Sequence, residues 1–204
     1  MARNMNSIVK QSRREGYALH PKAHKALVKR TAPPGGMSSG RRPKPSQYSL
    51  QLREKQKVKR LYGLLERQFS KLMNDASRTP GQSGATLLEY LERRLDNVVY
   101  RSGFAMSRQS ARQLVSHGHF MLNGRRVDIP SLRVSPGDKI ELKEPSKSTD
   151  YFKRLDEVSP PAANLPGWLK VDRKKIAVSV SGTPSRDDAE PDIKEQLIVE
   201  YYSR

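Results

Sequence analysis

The stretch SRQSARQLVSHGHFMLNGRRV, residues 107–127, predicts a short helix followed by a β-hairpin. Ser107 is a suitable N-cap for the helix, and Gly118 is a suitable stop. The Asn-Gly pair at residues 123–124 lies between two short strand-like runs, which is a strong local hairpin signal. The stretch carries four arginines and two histidines but no carboxylate. Charge that serves solubility is normally mixed in sign, so this bias indicates an anionic partner.

The residues on either side extend the stretch into a compact unit. ATLLEYLERRLDNVVYRSG, residues 85–103, has one apolar stripe at helical spacing and predicts one helix that ends at Gly103. Thr86 and Glu89 have the spacing of a capping box at its start. RVSPGDKIELK, residues 133–143, predicts a Pro-Gly turn and a third strand. The unit is therefore expected to run helix, helix, hairpin, strand.

The remaining segments predict a helical body, further strands and an arm. Residues 47–78 have apolar side chains at helical spacing, and Gly63 weakens the middle by about 1 kcal/mol, which favours two helices or a bent one. Residues 145–167 predict a loop around a short helix, followed by strands in WLKVD and KIAVSVSG. The end, DIKEQLIVEYYSR, predicts an amphipathic helix. APPGGMSSGRRPKP, residues 32–45, is too rich in Pro and Gly for regular structure.

These segments combine into an α+β fold with a helical body and a small module of two helices packed on antiparallel strands. Residues 1–45 are expected to form a basic, extended N-terminal arm. Residues 46–90 form a helical domain on which a C-terminal helix, residues 190–204, packs back. Residues 91–189 form the module with added antiparallel strands.

The net charge is +18, with 39 basic and 21 acidic side chains, and it is unevenly distributed. Residues 1–60 hold 16 basic and 2 acidic side chains, and residues 101–150 hold 9 and 5, whereas the other two segments are balanced. A polyanion, nucleic acid or an acidic membrane surface, is the partner that such a surplus favours. No apolar run is long enough to span a bilayer, and no secretory signal is visible. Of the two polyanions, we expect nucleic acid and not a membrane to be the partner. The chain has no cysteine, which excludes disulfides and thiolate chemistry.

Candidate contact residues cluster on the helix of the opening stretch. Arg108 and Arg112 are four residues apart and share a face, with Gln109, Gln113 and Ser116 beside them. Arginine binds phosphate through paired charged hydrogen bonds, and neutral donors reach ribose hydroxyls. A solvated cationic face is the alternative. RNA is favoured over DNA because only 6% of residues are aromatic and no helix has the pattern of a major-groove reader.

No catalytic constellation is visible. Glu89, Glu92 and Asp96 lie on one predicted helix and are interpreted as ion-pair partners of nearby arginines. His20 and His24 have a metal-compatible spacing, but Pro21 and the lack of nearby carboxylates argue against a metal site. We therefore expect no cofactor and no enzymatic activity.

Three segments closely resemble the S-four family of bacterial small-subunit ribosomal proteins: LREKQKVKRLYGLLERQF, RLDNVVYRSGFAMSRQSARQLVSHGHFMLNGRRVDIPSLRVSPGD and LIVEYYSR. The similarity is nearly continuous from Ser46 to Asp138. The segment from Leu91 to Leu142 also resembles the RNA-binding module named after that family, which recurs in RNA-modifying enzymes. An accessory subunit of such an enzyme, or a stand-alone RNA-binding regulator, is the alternative to a ribosomal role.

The resemblance implies a primary binder of small-subunit ribosomal RNA that acts in the cytoplasm, nucleates assembly of the subunit body and contributes to translational accuracy. It also implies contact with a neighbouring small-subunit ribosomal protein, number five, and a place near the mRNA entry channel. Many relatives hold a zinc ion with four cysteines, a site that the absence of cysteine excludes here.

The resemblance also implies which residues contact RNA. In the arm and first helices these are Arg3, Arg13, Arg14, Arg41, Arg42, Lys44, Arg53, Lys55, Lys57, Lys59 and Arg60. In the module they are Ser107, Arg108, Gln109, Arg112, Gln113, His117 and Asn123. The charge pattern of the opening stretch adds Ser116 and Arg125.

Overall fold

The computed structural model describes residues 4–30, 32–35, 44–161 and 164–203. The chain divides into two compact units, which we call unit 1 (residues 1–87 and 192–204) and unit 2 (residues 88–191). None of the helices in the described ranges is both long and apolar enough to cross a bilayer.

Unit 1 is helical. Its elements are α1 (Ile8–Glu15), α2 (His24–Lys29), α3 (Gln47–Leu61), α4 (Glu66–Arg78), the first part of α5 (Ser83–Glu92) and the last helix, α10 (Glu195–Tyr202). The interruption between α3 and α4 confirms the two-helix alternative at Gly63. Gly63 has a φ of 66°, and the amide of Leu64 reaches back to the carbonyl of Lys59 at 2.9 Å, which closes the end of α3.

The C-terminal helix packs on α3. The rings of Tyr48 and Tyr201 are 5.8 Å apart, and Gln51 Nε2 donates to Glu200 Oε2 at 2.8 Å. Ile198 is fully buried. Amphipathic spacing alone predicted this helix. The structure shows that α3 is the element on which it packs.

The N-terminal segment is more regular than its sequence suggests. The expectation of an extended arm is wrong within residues 8–29, where α1 and α2 form. Ser12 Oγ donates to the carbonyl of Ile8 at 2.8 Å and accepts from the amide of Leu19 at 3.3 Å, and Leu19 and Ala23 are buried. The Pro- and Gly-rich run lies after these helices, and its described residues contain no helix or strand.

Unit 2 is an antiparallel sheet with helices packed against it. The helices are α6 (Leu95–Arg101), α7 (Arg108–Ser116), α8 (Asp150–Lys153) and α9 (Leu155–Val158), and the strands are β1 (Phe120–Leu122), β2 (Arg125–Val127), β3 (Lys139–Leu142), β4 (Leu169–Asp172) and β5 (Ala177–Val180). The strand order is β2-β1-β3-β5-β4. Val98, Phe104, Phe120 and Ile140 lie in its core. From α6 to β3 the elements run helix, helix, hairpin, strand, which confirms the predicted order.

The single helix predicted for residues 85–103 is wrong. The chain breaks between α5 and α6 because the amide of Leu95 donates to the carbonyl of Leu132 at 2.8 Å, and the amide of Val134 donates to Arg93 at 2.9 Å. The capping box at Thr86 is also wrong, since α5 begins three residues earlier and Thr86 Oγ1 donates to the carbonyl of Gln82.

The hairpin between β1 and β2 confirms the turn prediction. Asn123 and Gly124 have φ values of 50° and 78°, the left-handed pair that a tight two-residue turn requires. Asn123 Nδ2 donates to Asp138 Oδ1, and Asn123 Oδ1 accepts from the amide of Lys139, both at 2.8 Å. The turn is thereby fastened to the start of β3.

Candidate nucleic-acid interface

Helix α7 has three distinct faces. Its buried face is formed by Ala111, Leu114 and Val115. A second face carries Arg108 and Arg112, as the spacing predicts. The exposed face has no Lys, Arg, Asp or Glu and consists of Gln109, Gln113, Ser116 and His117. Ser107 is buried and caps the helix by accepting from the amide of Ser110 at 3.2 Å.

The two arginines of α7 are held by groups of unit 2. Arg108 Nε donates to Asn97 Oδ1 at 2.9 Å, and its Nη2 donates to Glu190 Oε1 at 3.0 Å. Arg112 Nη1 lies 3.4 Å from Asp96 Oδ2. Sequence reasoning missed Glu190, which is 82 residues from Arg108 and carries no local signal. The arginines are therefore fixed in position and partly neutralised, whereas the uncharged donors remain open to a ligand.

The acids of α5 and α6 pair with arginines, which confirms their interpretation as structural. Glu92 is fully buried and accepts from Arg101 Nε at 3.0 Å and Nη2 at 2.9 Å, and from Asn97 Nδ2 at 2.8 Å. Asp96 accepts from Arg94 through both of its oxygens, at 3.1 and 2.8 Å. These pairs keep the acids away from any ligand.

The hairpin adds exposed cations. Arg125 and Arg126 are both exposed. The guanidinium of Arg126 lies over Gly118, whose φ of 71° is a conformation that glycine adopts readily. Burial, and then the neighbouring His117, lower the pKa of His119 from its usual value. Arg126 belongs to the same basic stretch as Arg125 and is exposed like it, although only Arg125 was among the predicted contacts.

In unit 1, two of the predicted cations on α3 converge on one carboxylate. Lys55 Nζ and Lys59 Nζ each lie 2.6 Å from an oxygen of Glu66. The pKa of Glu66 falls to about 2, because these hydrogen bonds and charges outweigh the effect of burial, which raises it. Lys55 is also buried, with its Nζ 4.4 Å above the ring of Tyr201. The side chain of Lys55 therefore contributes to packing within unit 1.

A second carboxylate joins α1 to α3. Glu15 Oε1 accepts from Arg60 Nη1 and, at 3.1 Å, from Arg53 Nη1, and its side chain is fully buried. Burial raises the pKa of Glu15, and the two arginines oppose that shift. Lys57 Nζ lies 2.7 Å from Glu54 Oε1 and donates to the carbonyl of Asp192 at 2.7 Å.

The other predicted contacts of the arm lie outside these ion pairs. Arg13 donates from Nε and Nη2 to the carbonyl of Ala32, at 3.1 and 2.8 Å. Arg14 and Lys44 are exposed. Three predicted contacts lie outside the described residues: Arg3, Arg41 and Arg42.

Comparisons with known proteins cover the whole chain. A family model described as the ribosomal protein S4/S9 N-terminal domain matches residues 3–92, and one described as the S4 domain matches residues 93–140. A small ribosomal subunit protein uS4 of Clostridioides difficile is 51% identical over 210 residues, with all of both chains covered. The chain belongs to the uS4 family. Members of that name from Herpetosiphon aurantiacus and Chlorobium luteolum are 50% and 49% identical over the full length of both chains.

Membership of the uS4 family confirms the resemblance found in the sequence. The S4 domain match at residues 93–140 contains α6, α7, the hairpin and the first half of β3. The first match contains the described helices α1 to α5. The two predicted contact regions thus fall within two different family models.

Proposed function

We propose that this chain is a structural, non-enzymatic component of the small ribosomal subunit in the cytoplasm, and that it binds small-subunit ribosomal RNA by shape and backbone charge. In this role it nucleates assembly of the subunit body and contributes to translational accuracy. Full-length similarity to relatives named uS4 supports this role over an accessory subunit of an RNA-modifying enzyme or a stand-alone regulator.

The uncompensated charge of residues 1–60 carries the proposal. This segment has 16 basic and 2 acidic side chains. Both acids are already engaged within unit 1, Glu15 with two arginines and Glu54 with Lys57 and the amide of Lys194. Glu66 also pairs with Lys55 and Lys59. The remaining cationic surplus is left for an external polyanion, and phosphate groups are suited to neutralise it.

The exposed face of α7 supports recognition of RNA rather than simple charge attraction. Gln109, Gln113 and Ser116 present neutral donors and acceptors beside the cations of the hairpin. Such groups are suited to the ribose 2′-hydroxyl, which distinguishes RNA from DNA. Arg108 and Arg112, held by their own acids, keep α7 fixed and add a partly screened positive field.

The proposal predicts a strong salt dependence. If about eight phosphates are neutralised, the logarithm of the binding constant should fall with the logarithm of salt concentration with a slope of roughly −6. A filter-binding titration of small-subunit rRNA measures this slope. A slope near −1 would contradict binding through a charged array.

Two partners follow from the family resemblance alone. We infer contact with the neighbouring small-subunit protein number five and a place near the mRNA entry channel. Cross-linking of assembled small subunits, followed by mass spectrometry for the protein and primer extension for mRNA, tests both. Cross-links confined to ribosomal RNA would contradict both.

A further inference from the structure

Unit 1 contains a cleft of about 540 Å³ whose charged lining is entirely basic among the described residues. Lys10 and Arg14 from α1 and Arg60 from α3 line it, together with the neutral side chains of Asn6, Ser7 and Gln11. This volume is within the range of sites that bind small ligands. The cleft is therefore large enough for a sugar-phosphate segment.

The three cations reach the cleft for separate structural reasons. Lys10 and Arg14 are four residues apart, so they lie on the same face of α1. Arg60 is held from behind by Glu15, whose carboxylate is fully buried and so is inaccessible to a ligand. An anion that enters the cleft thus meets Arg60 without competition from an exposed carboxylate.

The segment that follows α2 also lines the cleft. It includes Pro34 and Gly35, and the carbonyl of Ala32 just before them accepts two hydrogen bonds from the guanidinium of Arg13. This contact ties the segment after α2 back to α1. Hydrogen bonds within unit 1 therefore join the two parts of the chain, α1 and the segment after α2, that line the cleft.

We propose that this cleft seats a phosphodiester segment of the RNA backbone, with Lys10, Arg14 and Arg60 as its charged contacts. The proposal rests on the proposed function and deepens it, adding Lys10 as a contact and Glu15 as the residue that positions Arg60. A phosphodiester fits better than a base because no aromatic side chain lines the cleft among the described residues, so a stacking platform is lacking. Glu15 is already shared by Arg53 and Arg60, so the lining keeps a positive charge that an entering phosphate can neutralise.

A pair of double variants tests the proposal in the full-length chain. The cleft variant is Lys10→Gln with Arg14→Gln. The matched control is Lys25→Gln with Lys29→Gln, which removes two exposed charges at the same four-residue spacing on α2 and outside the cleft. Circular dichroism and urea unfolding establish that both variants retain the fold.

Filter binding to small-subunit rRNA at several salt concentrations supplies the first readout. The cleft variant should lose at least about tenfold more affinity than the control, and its salt slope should become shallower by about 1.5, the value for two phosphate contacts. Equal losses of affinity and slope in the two variants would overturn the proposal. The charge-preserving exchange of Lys10→Arg with Arg14→Lys should recover most of the affinity.

Ethylation interference supplies the second readout. Ethylation of one or two adjacent phosphates of the rRNA should weaken binding of the wild-type chain and of the control, and should have no effect on the cleft variant. Identical interference patterns for all three chains would overturn the phosphate seat. Failure of the wild-type chain to prefer its rRNA at all would instead overturn the proposed function, so the two failures are distinguishable.

Discussion

Substitution of Glu92 by glutamine should strongly destabilise unit 2. The Glu92 side chain is completely buried and accepts three hydrogen bonds, two from Arg101 and one from Asn97. In glutamine an NH₂ donor replaces one of the accepting oxygens, and it would face the donors of Arg101 or Asn97. The neutral amide also leaves the charge of Arg101 without its main partner. Loss of one member of a buried ion pair costs about 3–5 kcal/mol.

The expected cost lies at the low end, about 3 kcal/mol, because Arg101 retains some access to water and a second carboxylate nearby. Its side chain is 16% exposed, and Glu190 Oε1 lies 3.6 Å from its Nη2. The matched control is Glu89→Gln, on the same helix, where the partly exposed pair with Arg93 has i,i+4 spacing. Such pairs contribute only about 0.2–0.5 kcal/mol.

Urea unfolding of the full-length chain, followed by tryptophan fluorescence, measures both costs. The single tryptophan, Trp168, lies in the core of unit 2 and reports on that unit. With a denaturant slope of about 1–3 kcal/mol per molar urea, Glu92→Gln should lower the midpoint by about 1–3 M and Glu89→Gln by at most about 0.5 M. Equal midpoints for the two variants would refute the reasoning that burial makes this pair important.

Two further predictions concern the hairpin and α4. Asn123→Ala should lower the free energy of unfolding by about 2 kcal/mol, measured by Trp168 fluorescence, because alanine loses two hydrogen bonds and disfavours a positive φ. Asn123→Gly tolerates that φ and should cost about half as much. Equal costs for the two variants would contradict a backbone contribution. The folded-state pKa of Glu66, about 2, lies below its usual value of 4.5, so its stabilising effect should be present above pH 4.5 and disappear as pH falls towards 2. Relative to Glu66→Gln, wild type should be more stable by about 1 kcal/mol at pH 7, since solvent screens this half-exposed group, and equally stable near pH 2 by circular dichroism. A difference that persists at pH 2 would contradict this assignment.

Local signals explain which elements the sequence predicted. The cap at Ser107 and the turn at Asn123 and Gly124 act within a few residues, so α7 and the hairpin are readable in one short stretch. The break before α6 depends on the pairing of Leu95 with Leu132, residues that are distant in sequence. A hydrophobic stripe continues across such a break without a visible interruption.

The candidate site shows the same limit. Charge spacing placed Arg108 and Arg112 on one face of α7, but it could not identify Glu190, which pairs with Arg108 and belongs to a distant loop. The Pro- and Gly-rich run led to the prediction of an extended arm for all of residues 1–45, so α1 was not predicted. Ser12 and Leu19 contribute to the packing of α1. The cleft that includes Lys10 and Arg60 required α1 and α3 to be placed together, which composition does not reveal.

The central claim is that fixed cations and neutral donors together recognise one folded RNA, and that attraction between charges alone does not account for binding. Competition between two RNAs tests this claim most directly. A labelled fragment of small-subunit rRNA is bound to the full-length chain, and unlabelled fragment or random-sequence duplex RNA is added at the same salt concentration. We predict that the duplex competes at least about a hundredfold less well than the fragment, since non-specific phosphate contacts form only part of the interface. Equal competition by the two RNAs, per phosphate, would contradict the claim.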